Sequence, residues 1–149
     1  MNTKIFKSER GFTLLELLVV IVVIGILALL VIPNLTSAPK KARDVQRKTD
    51  LKAVQKGLEE YYVSNSAYPV ATSYTALGAI LTVGNPPIIK SMPNDPNSSN
   101  PAYSFTGTAT AYTLKGCLEN LNEAISATVL SDTTYCGTGG KAFTLTNLN

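Results

Sequence analysis

A chain of 149 residues, 45% apolar and carrying a formal net charge of +3, has room for one modest domain besides a membrane segment. It contains no histidine, which excludes histidine-based triads and histidine zinc sites. No glycine-rich phosphate loop or cysteine-pair metal motif occurs, and Gly137-Thr138-Gly139-Gly140 reads as a turn because no strand-and-helix frame surrounds it.

The first ten residues set Lys4, Lys7 and Arg10 against Glu9, a leader of charge +2 ending in Gly11. Phe12–Ile32 follows, 21 residues that are apolar but for a start interrupted by Glu16. That is about the length needed to cross a bilayer core. Positive charge in the leader places the N-terminus on the cytoplasmic side and the remainder outside. A conventional secretory signal has a shorter apolar region followed by a small-residue cleavage site. Thr36-Ser37-Ala38 would serve, but Pro39 directly after the cut disfavours it. A plain anchor explains the apolar run and leaves Glu16 unexplained. An intramembrane carboxylate costs roughly 2.5–3.5 kcal/mol at a helix centre and less near the interface, so Glu16 marks a functional site whose partner lies outside the chain.

The run is expected to be helical, because lipid offers the backbone no other partners. Gly25, Pro33 and Pro39 weaken it, and a kinked or locally melted stretch between Gly25 and Pro39 is expected. The helix resumes to about Tyr62, where Leu51, Val54, Leu58 and Tyr61 or Tyr62 recur at three- and four-residue spacing and form one apolar stripe. Charge is uneven beyond the apolar run. Residues 40–56 set seven cations against two carboxylates, a balance of +5, and residues 57–149 set three lysines against six carboxylates, a balance of −3. Either a basic stalk and an acidic head attract one another between subunits, or both are solvated surfaces. The basic stretch lacks interleaved aromatics, so no specific nucleic-acid binding is expected, and lipid headgroups are its simpler partner.

Beyond Ser64 the composition turns to Gly, Pro, Ser, Thr and Asn. Thr75–Leu81 reads as a short helix or turn, and Pro86-Pro87 and Pro93-Asn94-Asp95-Pro96 read as loops. Ala102–Thr106, Tyr112–Leu118 and Lys141–Thr146 read as strands, with Glu119–Ala127 open between helix and loop. The expected fold is α+β: a long N-terminal helix, apolar in its first half and amphipathic in its second, packed on a small antiparallel head of about three or four strands. Cys117 and Cys136 both fall in this head. In an oxidising compartment they pair, closing a loop of about 20 residues worth roughly 3 kcal/mol. The alternative is two buried free thiols.

Gly11-Phe12-Thr13-Leu14-Leu15-Glu16 resembles the class III signal of type IV prepilins and type II secretion pseudopilins. The resemblance implies that a membrane-embedded aspartyl peptidase cuts between Gly11 and Phe12 and methylates the new Phe12 amine. Glu16 then becomes the fifth mature residue, where the family keeps its glutamate. Gly25 and Pro33 also sit where family members carry helix-loosening residues, which makes Gly25, Pro33 and Pro39 a helix-melting switch. Tyr61-Tyr62, Ser66-Ala67-Tyr68-Pro69 and Met92-Pro93-Asn94-Asp95-Pro96, up to Tyr103, also look like the major pseudopilin subgroup. That subgroup binds calcium in the head. Asp95 and Asp132 are the candidates here, and two carboxylates are too few to specify six to eight oxygens.

The expected divisions are a cleaved leader (1–11), a membrane or filament-core helix half (12–35), an amphipathic helix half (36–64) and a globular head with a C-terminal disulfide loop (65–149). The expected function is a structural subunit of an extracellular type IV pilus, a homo-oligomeric helical filament with no enzymatic activity and no cofactor. The alternatives are a major pseudopilin of a type II secretion system and, from another class, a monomeric membrane-anchored extracytoplasmic binding protein. The implied partners are the prepilin peptidase, the assembly platform with its ATPase, other pilins, and membrane lipid before assembly. The implied location is the cytoplasmic membrane, N-terminus inside, and then the filament.

Overall fold

The computed structural model describes residues 11–148, apart from the side chains of residues 30–36. The charged leader, with Lys4, Lys7, Glu9 and Arg10, and the side chain of Pro33 therefore lie outside the described residues. The chain divides between Ser37 and Ala38 into two compact units.

The N-terminal unit holds the first part of α1, the helix Leu14–Asn65. Thr13 and Glu16 start it with reciprocal bonds. The Glu16 backbone N–H donates to Thr13 Oγ1 at 3.2 Å, and the Thr13 N–H donates to Glu16 Oε2 at 3.0 Å. This is a capping box, which satisfies N–H groups that a helix start otherwise leaves unpaired. Residues 25–39 are helical here rather than melted. Residues 11–29 are all exposed, Phe12 and Leu14 at 85% and 82%. Among the described residues no helix is long and apolar enough to cross a membrane. The fully described apolar stretch, Leu14–Leu29, supplies 16 residues where about 20 are needed.

The second unit is built on the rest of α1. Leu51, Val54 and Leu58 are completely buried, so the expected stripe is a core stripe, each side chain worth roughly 1.5–3 kcal/mol. Four strands form one antiparallel sheet: β1 (Ser104–Gly107), β2 (Tyr112–Leu118), β3 (Val129–Ser131) and β4 (Lys141–Thr146), in the order β1-β2-β4-β3. Register explains which face is buried. Phe105 stands opposite Leu114 and Leu114 opposite Leu145, while Gly116 and Val129 both stand opposite Phe143. Directly opposed residues share a face, and all of these belong to the buried side of the sheet. Gly116 lets the helix approach, because a Cβ there would lie 2.9 Å from Leu51 Cδ1. Helix α2 (Tyr74–Leu81) is capped by Ser73, which accepts from the Ala76 N–H at 3.1 Å, and it buries Leu77 and Leu81 in the same core. The one-turn α3 (Thr133–Cys136) follows β3.

β2 and β4 have the expected bounds, β1 starts two residues later and ends one later than expected, and β3 is an additional strand. Residues 119–127, open between helix and loop, contain no regular element. α1 runs three residues beyond Tyr62.

Candidate functional site

Two sets of residues carry the functional argument, one in each unit. In the first, Gly11 and Phe12 are exposed, and among the described residues none beyond its chain neighbours comes within 4 Å of where a Gly11 Cβ would stand. Glu16 is exposed and lies on Thr13, whose hydroxyl also donates to Glu16 Oε2 at 3.0 Å. Its carboxylate thus has a local role at the helix start, and a T-x-x-E pattern in the sequence signals it. The described apolar surface around it finds no cover within its own unit.

The second set is a buried ionic cluster. Arg47 is wholly buried. Its Nη1 donates to Asp44 at 2.7 Å, its Nε and Nη2 donate to both oxygens of Asp95 at 2.7 Å, and Nη2 also donates to Glu119 at 2.6 Å. Arg43 joins from one turn earlier, its Nε and Nη2 donating to Glu119 at 2.8 and 2.5 Å. Asp44 in turn accepts the backbone N–H groups of Glu119 and Asn120 at 2.9 and 2.8 Å. One helical segment therefore clamps the Pro-rich loop at Asp95 and the end of β2 at Glu119. Arg43, helped by Arg47 and Asn97, holds Glu119 well below the usual carboxylate range, at about 2, against the opposing effect of burial. Burial disfavours the Arg47 cation, and the bonds from Asp95, Glu119 and Asp44 outweigh it, raising its pKa. A buried arginine left without these partners would be strongly unfavourable.

Arg47 was legible in hindsight. It stands at positions four, seven and eleven before Leu51, Val54 and Leu58, on the core side of the same stripe. Apolar periodicity alone skips it because the residue is charged.

Lys48 extends the arrangement, donating to Glu123 at 2.7 Å, and Lys141 Nζ donates to the Glu123 carbonyl. The attraction expected between a basic stalk and an acidic head is thus made within one chain, by Arg43, Arg47 and Lys48. Two helix carboxylates beside the stripe bind tyrosines instead: Asp50 accepts from Tyr103 at 3.0 Å, and Glu59 accepts from Tyr68 and Tyr112 at 2.9 and 2.8 Å.

Asp95 and Asp132 are each held by a different cation of the chain. Asp95 is spent on Arg47, and Asp132 accepts from Lys115 at 2.8 Å while capping α3 through the Tyr135 N–H at 3.0 Å. Among the described residues no group of three or more potential metal ligands occurs. Cys117 at the end of β2 and Cys136 in α3 are joined by a disulfide spanning 19 residues of sequence, which encloses β3.

Residues 6–32 match the family described as the prokaryotic N-terminal methylation motif. The chain is 43% identical over 90 residues to the type II secretion system core protein G of Klebsiella michiganensis, covering 60% of this chain and 62% of that protein, just under two thirds of its length. It is 36% identical over 113 residues to the protein of the same name from Vibrio cholerae, covering 70% of this chain and 76% of the relative. The Pseudomonas aeruginosa protein of that name is 36% identical over 112 residues, covering 68% and 78%. No solved structure matches the chain. The similarity reaches well beyond the N-terminal motif, and the chain belongs to the family of the type II secretion system core protein G, among the pilin-like proteins that carry this methylation motif.

Proposed function

We propose that the chain is the major structural subunit of a type II secretion pseudopilus, a non-enzymatic building block of a helical filament. The carrying observation is the extent of its similarity: relatives named as core protein G match across about 70% of the chain, far past the 27 residues of the methylation motif. A type IV pilus subunit would share the motif, and the longer match favours secretion. A membrane-anchored binding module would account for the apolar run and the helix cap at Glu16, but not for a match of 113 residues to a protein named as core protein G.

In this reading the precursor is held in the cytoplasmic membrane by residues 12–35, N-terminus inside, with residues 36–149 outside. A prepilin peptidase cuts between Gly11 and Phe12 and methylates the Phe12 amine. The assembly platform and its ATPase then move the subunit into the filament, where apolar segments exchange lipid for one another. Packing of apolar stripes leaves axial register loose. A Glu16 carboxylate meeting the Phe12 amine of a neighbour penalises wrong registers, because an unpaired charge in a low-dielectric core is expensive. Gly25, Pro33 and Pro39 let residues 25–39, helical in the single chain, extend in the filament.

Two measurements on the source cell test this. The mature protein should begin at N-methylated Phe12, and a cellular form retaining Met1–Gly11 would refute the processing. Deleting the gene should trap secreted enzymes in the periplasm and leave surface pili unaltered. Loss of pili with normal secretion would return the chain to a pilus.

A further inference from the structure

Arg43, Arg47 and Lys48 are consumed by carboxylates of their own chain. Lys41, Lys52 and Lys56 are not. All three are exposed on α1, and among the described residues no carboxylate lies within ion-pair distance of them. At 3.6 residues per turn, their spacing of eleven and four places them within an arc of about 60°. Between them lie Val45, 63% exposed, and the exposed Thr49. Glu59 stands on the same line of the helix as Lys41 but is held by Tyr68 and Tyr112, and Glu60 follows at the edge of this side. The exposed lysines form a cationic strip outside the core stripe of Leu51, Val54 and Leu58, and at its start Lys41 and Val45 border a cleft shared with Asn120 and Glu123.

A second copy of the chain offers this strip little to bind. In the second unit Asp44, Asp95 and Glu119 are held by arginines, Glu123 and Asp132 by lysines, and Asp50 and Glu59 accept tyrosine hydroxyls, which leaves Glu60. An extended anionic surface is available elsewhere. Lys41 follows Ile32, the end of the apolar run, by nine residues. We propose that the strip Lys41–Lys52–Lys56 docks on anionic phospholipid headgroups while the subunit waits in the membrane. The inference rests on the membrane stage of the proposed function.

The contact has a defined geometry. Lys52 and Lys56 stand roughly 17 and 23 Å along the helix from Lys41, at about 1.5 Å per residue. Screening at physiological salt acts over about 8 Å, so all three feel the surface only if this side of the helix lies along it. Residues 25–39, with Gly25, Pro33 and Pro39, are where a bend is easiest. Each lysine at an anionic surface multiplies its hold by roughly five. The strip would then store the subunit flat on the bilayer and release it when the filament replaces lipid.

The test uses the full chain reconstituted into vesicles of phosphatidylcholine alone or with phosphatidylglycerol at three to one. Lysines are acetylated with a water-soluble reagent and quantified by mass spectrometry, with the exposed Lys90 as reference. Acetylation of Lys41, Lys52 and Lys56 should fall several-fold on the anionic vesicles and recover at high salt, while Lys90 stays constant. Equal labelling on both vesicles in carbonate-resistant protein would overturn the docking alone, as would protection of Lys41 without the other two. Protection that follows protein concentration and ignores lipid would assign the strip to a second copy instead. Release of the chain by alkaline carbonate would overturn the membrane stage, and the docking with it.

Discussion

The two parts of helix α1 obey opposite rules. Up to Leu29 the described residues are all exposed, a cylinder rich in leucine, isoleucine and valine that finds no cover among the described residues of its own unit. From Ala38 onward the helix is amphipathic, and one side of it is buried completely by the sheet and α2. The second part meets its needs within the chain, in apolar contacts and in the ionic cluster at Arg47. The first part must meet them with lipid or with other copies. Substitutions in the first part should therefore change assembly and leave folding alone, and substitutions in the second should do the reverse.

The sharpest break of that contrast is Glu16→Ala. It should leave membrane insertion and cleavage intact, leave the thermal midpoint of the head unchanged, and abolish or greatly reduce filament yield at equal subunit level. Thr13→Ala supplies the control. It removes the helix-start bonds but keeps the carboxylate, so assembly should remain close to normal, with about 1 kcal/mol of local helix stability lost. If both variants assemble normally, Glu16 is a cap and nothing more.

Arg47→Ala should have the largest effect on folding. It leaves Asp95 without its cation and removes one partner each from Asp44 and Glu119 in a site from which water is largely excluded, and urea denaturation should register a loss of roughly 3–5 kcal/mol. Somewhat smaller, replacing Cys136 with Ser should lose roughly 2–5 kcal/mol. Thiol labelling of the unreduced, denatured wild-type protein should find no reactive cysteine.

Acid should loosen the second unit gradually. Glu119 titrates at about 2 in the fold against an ordinary value of 4.5, so its contribution is fully present above about pH 4.5 and is lost as the pH falls towards 2. Lys48 and Lys115 lower Glu123 and Asp132 in the same direction. A melting temperature level between pH 5 and 7 and declining below 4.5 is the expected profile. The smallest effect should come from calcium chelation. Asp95 and Asp132 already hold Arg47 and Lys115, so EDTA should leave the melting temperature within error.

Much of this could be read directly from residues. The stripe Leu51, Val54, Leu58 announced the buried side of the helix, since an apolar repeat of three and four has one face to hide. Strands β2 and β4 were legible because each is a run of six or seven residues rich in aromatic, apolar and threonine side chains. Strand β3 was not, because three residues carry too little pattern, and it exists through pairing with β4. Arg47 was missed for a different reason. A charged residue on an apolar face reads as an interruption until its partners are known, and those stand 48 and 72 residues away.

By itself, the sequence determined the long helix, its apolar and amphipathic stretches, the N-terminal methylation motif and the stripe that needs a cover. These depend on local spacing and on transfer of side chains from water, both properties of neighbouring residues. Only the tertiary structure decided where the charges go. It turned the basic stretch into an internal clamp at Arg43, Arg47 and Lys48 and an outward strip at Lys41, Lys52 and Lys56, and it spent Asp95 and Asp132 on cations of the chain itself. Charge pairing is decided by distances between segments far apart in sequence, which composition does not encode and the packing of the sheet on the helix does.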